Sequence, residues 1–218
     1  MKKAAVLIVD DHPIVRQGLK MLINQAEDLE VKGEAEDMAS ALSAMEKTPF
    51  DVVIVDISLK GANGIELLEA MREQCPGIPA LVLSMHEEWL YAQRALRAGA
   101  RGYVMKQEAI ERVVMALRRV LRGEIYVSEK IADRLLHFVI AGGKAEAVSP
   151  LDQLTNRELQ TFQMLGKGLS TREIATQLNL SVKTIESYRE NLKRKLNLQN
   201  SNELVRYAIY RAQDIPST

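Results

Sequence analysis

The chain has 218 residues, 47% of them apolar, with 29 Lys/Arg balancing 29 Asp/Glu, so it is long enough for one large domain or two small ones with separate cores. No apolar run is long enough to cross a bilayer, no signal-peptide pattern opens the N-terminus, and the single cysteine, Cys75, excludes an internal disulfide; these features fit a cytoplasmic protein. The charge is uneven, with ten Lys/Arg against seven Asp/Glu from residue 151 onward and 19 against 22 before it, which hints at an anionic partner for the second part.

The first predicted strand, Ala4 to Val9, ends in Asp10-Asp11. Pro13 suits the first turn of a helix whose apolar face is Val15, Leu19, Leu22 and Ile23. A short strand at Val31–Ala35 and a helix with Leu42 and Met45 follow, the helix stopping at Thr48-Pro49. Val52 to Val55 are four β-branched residues in a row, the pattern of a strand buried on both faces, and the run stops at Asp56. A loop with Gly61 and Gly64 leads to a helix with Ile65, Leu67, Leu68 and Met71, ended by Pro76-Gly77.

Ala80–Leu83 is the fourth strand, ended by Ser84. A helix with Leu90 and Leu96 closes at Gly99, Gly102–Met105 is a strand ended by Lys106, and a helix runs from about Glu108 to Leu121. Five strands alternating with five helices over short connections predict a parallel sheet covered on both faces.

Ligand chemistry in such sheets gathers at the carboxyl ends of the strands. Those ends carry Asp10-Asp11, Asp56, Ser84 and Lys106. Three carboxylates at one edge repel one another unless a cation sits among them, and oxygen-only ligands favour Mg²⁺ over Zn²⁺. A carboxylate beside Mg²⁺, a lysine and a hydroxyl suits a phosphoryl acceptor. Taken singly, Asp56 also fits a turn start, Ser84 a strand-end cap and Lys106 a solvated lysine; His12 and His86 read as loop residues.

With these five positions agreeing in type and place, the first ~120 residues resemble a CheY-like receiver domain of a bacterial two-component response regulator. The resemblance implies a flavodoxin-like fold with Asp56 as phosphoacceptor, Ser84 as switch hydroxyl, Lys106 as the site lysine, Tyr103 as the aromatic switch and Gly64 as the loop glycine. It implies Mg²⁺ held by one of Asp10 and Asp11, by Asp56 and by the backbone carbonyl of Ser58. The chain departs from the family at Lys60, usually proline, at Met85, usually small, and at Gln107, often proline.

Residues 123–150 read as a linker with a helix, capped by Ser128 and carrying Ile131, Leu135, Leu136, His137, Phe138 and Val139; the hinge itself falls at 141–150. From 151 on, Thr155-x-x-Glu158 and Ser170-x-x-Glu173 are two capping boxes. The first opens a helix with Leu159, Phe162 and Leu165, the second a short helix with Ile174, Ala175 and Leu178. A tight connection at Asn179-Leu180-Ser181 leads to a third helix, about Val182 to Leu196, and a fourth begins at Asn200-Ser201.

Two helices joined by a tight turn, the second rich in Lys and Arg, read as a helix-turn-helix. On that reading Thr184, Ser187 and neighbouring side chains face base edges, Lys183, Lys193 and Lys195 face phosphates, and Glu186 and Arg189 are further candidate DNA-binding residues. A small bundle with a solvated basic face fits this segment equally well by itself. "LTNREL" and "GLSTREIATQLNLSVKTIESYRENLKRKL" decide for DNA, because they are similar to the LuxR-type DNA-binding domain.

The whole chain then resembles the NarL/FixJ class of response regulators: a receiver at 1–122, a linker at 123–150 and a helix-turn-helix domain at 151–218. The fold expected is a five-stranded, parallel, doubly wound α/β receiver plus a small all-α domain. The resemblance implies phosphorylation of Asp56 by a histidine kinase, DNA binding, transcription regulation and a homodimer when active. The family's last helix suggests Leu204, Tyr207, Ala208 and Arg211 as dimer contacts. Two alternatives stand beside it: a phosphotransfer or phosphatase-like enzyme on the same acidic site, and a DNA-binding regulator with a vestigial receiver.

Overall fold

The computed structural model describes residues 2–59, 63–85, 88–140 and 150–213, and the chain divides into two units, 1–142 and 143–218. Lys60, Gly61, His86 and most of the expected hinge, 141–149, lie outside the described residues. In the first unit the elements are β1 (Ala4–Val9), α1 (Pro13–Asn24), β2 (Leu29–Ala35), α2 (Met38–Lys47), β3 (Val52–Asp56), α3 (Gly64–Gln74), β4 (Ala80–Ser84), α4 (Glu88–Ala98), β5 (Gly102–Met105), α5 (Ala109–Leu121) and α6 (Glu129–Ile140).

The strands form one parallel sheet in the order β2-β1-β3-β4-β5. All of β3 is buried, as its β-branched run predicts for a strand flanked on both sides and covered on both faces. The chain runs outward from β1 to β2 and then crosses back to β3. The switch point therefore lies between the carboxyl ends of β1 and β3, where Asp10 and Asp56 stand.

Val6, Ile8, Ile54, Leu81, Leu83 and Val104 of one sheet face pack against Leu19 and Ile23 of α1 and Val113, Ala116, Leu117 and Val120 of α5. On α4 the buried positions are Tyr91, Ala92, Ala95 and Ala98, whereas Leu96 is half-buried. Small residues bring this helix close to its neighbours, and Tyr91 fills the remaining space.

Residues 124–140, expected in a linker, belong to the first unit. The Tyr126 amide donates to the Arg101 carbonyl at 2.9 Å and the Tyr103 amide to the Tyr126 carbonyl at 2.8 Å, extending the sheet edge beyond β5. Gly102 permits this approach, since a Cβ there would meet Leu81 Cδ1 at 2.7 Å and the Tyr126 carbonyl at 3.2 Å. The following α6 buries Ile131 and packs against α4.

The second unit holds α7 (Asn156–Gly166), α8 (Thr171–Gln177), α9 (Val182–Leu196) and α10 (Ser201–Gln213). Both capping boxes form: Thr155 Oγ1 accepts from the Glu158 amide, Ser170 Oγ accepts from the Glu173 amide, and each glutamate accepts from the cap's own amide. Asn179 takes a left-handed conformation, φ 52°, which turns the chain sharply from α8 toward α9. The Phe162 and Tyr207 rings, 5.7 Å apart, join α7 to α10.

Glu158 also ties α7 to α9. Burial pushes its carboxyl up, but Lys195 Nζ donating at 2.6 Å and the Thr155 amide at 2.8 Å outweigh that and hold it below the usual range. A lowered native value means the stabilisation is present above the unfolded carboxyl's value of 4.5 and is lost as pH falls through the native one. Acidification below that point is expected to lower the urea midpoint of the helical signal, and Glu158→Gln to remove this part of the pH dependence. Glu158→Ala at neutral pH is expected to cost about 1–3 kcal/mol, because it leaves the half-buried Lys195 ammonium and the Thr155 amide without their acceptor.

Candidate functional site

The carboxyl end of the sheet brings Asp10, Asp11, Asp56, Ser84 and Lys106 together on the ends of β1, β3, β4 and β5. Asp10 and Asp56 are almost fully buried, 1% and 2% exposed, and Ser84 is completely so. Lys106 Nζ donates to Asp10 Oδ2 at 2.6 Å and lies 2.8 Å from Asp56 Oδ2, so one ammonium bridges both carboxylates. Its side chain is only 10% exposed, so the pairing takes place largely out of water.

Burial pushes the Asp56 carboxyl up, and Asp10 adds to it; Lys106 and the Ser58 amide pull the other way without cancelling the rise. Burial pulls the Lys106 ammonium down, but the Asp56 and Asp10 carboxylates outweigh that and raise it. The site is thus an electronegative pocket in which a fixed cation offsets part of the cost of burying the Asp56 charge.

Two supports were not legible beforehand. Arg16 Nη1 donates to the Asp10 carbonyl at 2.6 Å, fixing the backbone where β1 ends. His12, expected as a loop residue, donates its amide to Asp10 Oδ1 at 2.8 Å and holds its ring Nδ1 2.7 Å from Asp11 Oδ1. Asn63-x-x-Glu66 forms a capping box that starts α3, with the Ile65 amide donating to Asn63 Oδ1 at 2.9 Å. That pattern is readable in the sequence as an Asx cap followed by Glu.

Gly64 sits directly against the acceptor's backbone. A Cβ there would lie 2.1 Å from the Asp56 carbonyl oxygen, while the Gly64 amide donates to the Ile57 carbonyl at 2.8 Å. Backbone against backbone cannot give way by rotamer change. Gly64→Ala is therefore expected to lose at least about 1–3 kcal/mol and to displace Asp56; denaturant unfolding checks the first effect and Mg²⁺ affinity the second.

Asp10, Asp11, His12 and Asp56 each offer a ligand atom within 4.8 Å of one another. Three carboxylates there make an oxygen-rich donor set that fits a hard divalent cation, with His12 at its exposed edge. Tyr103 is buried in β5 at 1% exposure, so its ring lies inside the fold in this structure.

In the second unit Lys183, Glu186, Ser187, Glu190 and Arg194 form an exposed stripe along α9, and Thr184 is half-buried. Ser181 caps the helix through the Thr184 amide, and its hydroxyl meets Thr184 Oγ1 at 2.7 Å. Ser187 Oγ donates to the Lys183 carbonyl at 3.1 Å. Three of the expected contacts are engaged within the unit. Arg189 Nη1 donates to Thr171 Oγ1 at 2.8 Å, Lys193 pairs with Glu190 at 2.8 Å, and Lys195 is committed to Glu158 and the Gln153 carbonyl.

The dimer candidates divide as well. Leu204 and Ala208 are buried, 0% and 1% exposed, on the side of α10 that packs on α7, and so are core residues. Tyr207 and Arg211 are half-buried and stack on each other, the guanidinium 5.5 Å from the ring centroid. The outward side of α10 carries Asn202, Arg206 and Tyr210.

A five-stranded parallel sheet with acidic residues and a lysine at its carboxyl edge, joined to a helix-turn-helix unit, defines a response regulator. Residues 6–118 match the response regulator receiver domain family, and residues 152–208 match the bacterial regulatory proteins of the luxR family. The chain is 34% identical over 209 residues to the oxygen regulatory protein NreC of Staphylococcus epidermidis, covering 94% of this chain and 96% of that protein. It is 34% identical over 208 residues to NreC of Staphylococcus carnosus, with the same coverage.

Among solved structures it is similar to RcsB from Salmonella enterica serovar Typhimurium bound to promoter rprA in the presence of phosphomimetic BeF3⁻. The two share 29% identity at a TM-score of 0.62, over 95% of this chain and 99% of that one. A LuxR-family two-component response regulator from Aurantimonas sp. SI85-9A1 shares 33% identity at a TM-score of 0.59, over 64% of this chain and 99% of that one. The protein belongs to the two-component response regulators with a LuxR-type output domain: it is a DNA-binding regulator of transcription. Among the described residues no helix is long and apolar enough to cross a membrane.

Proposed function

We propose that Asp56 is the phosphoacceptor and that its phosphorylation by a histidine kinase sets the DNA affinity of the chain. The observation that carries this is the buried Asp56 carboxylate, 2.8 Å from the Lys106 ammonium and within 4.8 Å of the Asp10 and Asp11 carboxylates. An Asp56 carboxylate oxygen forms a bond to phosphorus as the bond to the donor's leaving group breaks, and the leaving group departs with the electron pair. Lys106 offsets charge on the transferred group, and the Ser84 hydroxyl, at the next strand end, is placed to donate to one of its oxygens.

Asp10 or Asp11, Asp56 and the Ser58 carbonyl would hold Mg²⁺. When bound, Mg²⁺ neutralises charge on the phosphoryl oxygens. The added group brings about −1.5 to −2 charges to a pocket whose cation is Lys106. Lys106 then exchanges its Asp56 contact for the phosphoryl oxygens, and Ser84 and the β5 residue Tyr103 reposition with it. The test is intact-mass analysis of the full chain incubated with acetyl phosphate. One phosphoryl group added with Mg²⁺, and none with a chelator, supports the reading; no addition in either condition refutes it.

For DNA, the exposed cations of α9, Lys183 and Arg194, make the phosphate contacts, and Thr184 and Ser187 toward its N-terminal end lie nearest the bases. Two copies bind a two-part site, with the outward side of α10, Arg206 and Tyr210, as the contact between output units. Lys183→Ala is expected to weaken binding about equally across DNA sequences and to reduce the salt slope by about 1. Lys195→Ala is expected to act on stability instead, because its ammonium sits on Glu158. Fluorescence anisotropy at several salt concentrations separates the two.

A further inference from the structure

We infer, on the placement of α9 against DNA proposed above, that the Glu186 carboxylate accepts from the exocyclic amino group of a cytosine, so that the sites this chain selects carry a fixed cytosine in each half. The exposed face of α9 carries Lys183, Glu186, Ser187, Glu190 and Arg194, away from the buried Ile185 and Leu192. Two of those five are carboxylates, on the face that approaches a polyanion.

Nothing inside the fold accounts for Glu186. It is exposed, and no hydrogen bond or ion pair engages it among the described residues. It stands in the second turn of α9, past the unpaired amides of the helix start, so it caps nothing. Glu190 lies at i+4 from it, a spacing at which like charges lower helix stability. The Glu190 charge is answered by Lys193 at 2.8 Å, but the Glu186 charge is not. Arg189, one turn on, reaches instead to Thr171 Oγ1 at 2.8 Å.

The neighbouring groups that could read bases are committed within the unit. The Ser181 and Thr184 hydroxyls share a hydrogen bond at 2.7 Å, and the Ser187 hydroxyl donates to the Lys183 carbonyl at 3.1 Å. Arg189, of the residue type best suited to guanine, is the one held by Thr171. Two uncommitted polar side chains remain exposed in this half of α9. Lys183 is a compact cation suited to phosphate, and Glu186 is an acceptor that needs a donor.

Donors in the major groove are few. Guanine offers two acceptors there, thymine an acceptor and a methyl group, and adenine an amino group beside an acceptor. Cytosine alone offers an amino group with no acceptor of its own on that edge. The carboxylate is therefore repelled along most sequences and gains a hydrogen bond at cytosine, a selection made as much by rejecting other bases as by holding the right one.

The test is selection of binding sites from a random duplex pool by the full chain with Mg²⁺, with and without acetyl phosphate, in parallel with Glu186→Ala and Glu186→Gln. Fluorescence anisotropy then measures affinity for the selected duplex and for versions with one base pair exchanged. The expected parent site has a cytosine in each half whose exchange weakens binding about fivefold or more. Glu186→Ala should lose that preference and keep those at other positions, while binding mixed DNA more tightly than the parent. Glu186→Gln should move the preference to adenine, whose donor and acceptor match a carboxamide. Glu186→Ala binding every duplex more tightly with its base preferences unchanged overturns the inference, because the carboxylate then only repels phosphates. A parent that enriches no base pair overturns it too. Lys183→Ala in the same assay tests the placement of α9 separately. Uniform weakening keeps the helix on the DNA, and parent-like binding removes it and the role of Glu186 together. Thermal melts matching the parent's show that the variants remain folded.

Discussion

Asp56→Asn is expected to abolish phosphoryl uptake from acetyl phosphate while leaving the protein folded and at least as stable as the parent without metal. On the proposed reading the carboxylate oxygen is the nucleophile, and an amide at the same place has neither its charge nor its reactivity. The stability half of the expectation comes from the environment. Asp56 is buried beside Asp10, and burial and Asp10 together disfavour its charge more than Lys106 favours it. Removing that charge relieves repulsion and leaves Lys106 bonded to Asp10 at 2.6 Å. Intact mass and a chelator-treated thermal melt check both halves. Phosphoryl uptake at the parent's level in the variant would move the acceptor elsewhere.

Lys106→Met should have the largest effect on stability among single changes at the site. Methionine keeps much of the stem's volume but removes the cation that lies 2.6 Å from Asp10 and 2.8 Å from Asp56. Removing one partner of a buried ion pair costs about 3–5 kcal/mol when the charge left behind has no other relief. On the proposed reading a dication held by the carboxylates would supply that relief by taking over the neutralisation. The loss should therefore be greatest with a chelator and shrink when Mg²⁺ is added, since a ligand that binds only the folded state stabilises it. Urea unfolding with and without Mg²⁺ measures this. A variant as stable as the parent in chelator would show that the ammonium does not hold the carboxylates together.

The sheet and its acidic edge are legible in the sequence because their signals are local. Val52 to Val55 announce a doubly covered strand, and a carboxylate, a hydroxyl or a lysine follows each strand that lines the site. The caps at Thr155 and Ser170 are equally local, as is the tight turn at Asn179. What escaped depends on which residues meet in three dimensions. Nothing adjacent to Lys195 marks it as the partner of Glu158, 37 positions away, and Arg189 reaches Thr171 across the helix-turn-helix. Leu204 and Ala208 sit on an amphipathic helix whose inward face becomes clear only once α10 is seen against α7. His12 looks like an ordinary loop residue until β1 and β3 bring three carboxylates to its ring.

Phosphorylation of Asp56 is proposed to set DNA binding. Its most direct test is the affinity of the purified full chain for mixed DNA fragments, measured with and without Mg²⁺ and acetyl phosphate, with Asp56→Asn in parallel. A donor-dependent gain in affinity that Asp56→Asn lacks is the predicted result. Equal affinity in every condition, with Asp56 shown by intact mass to be phosphorylated, would contradict it.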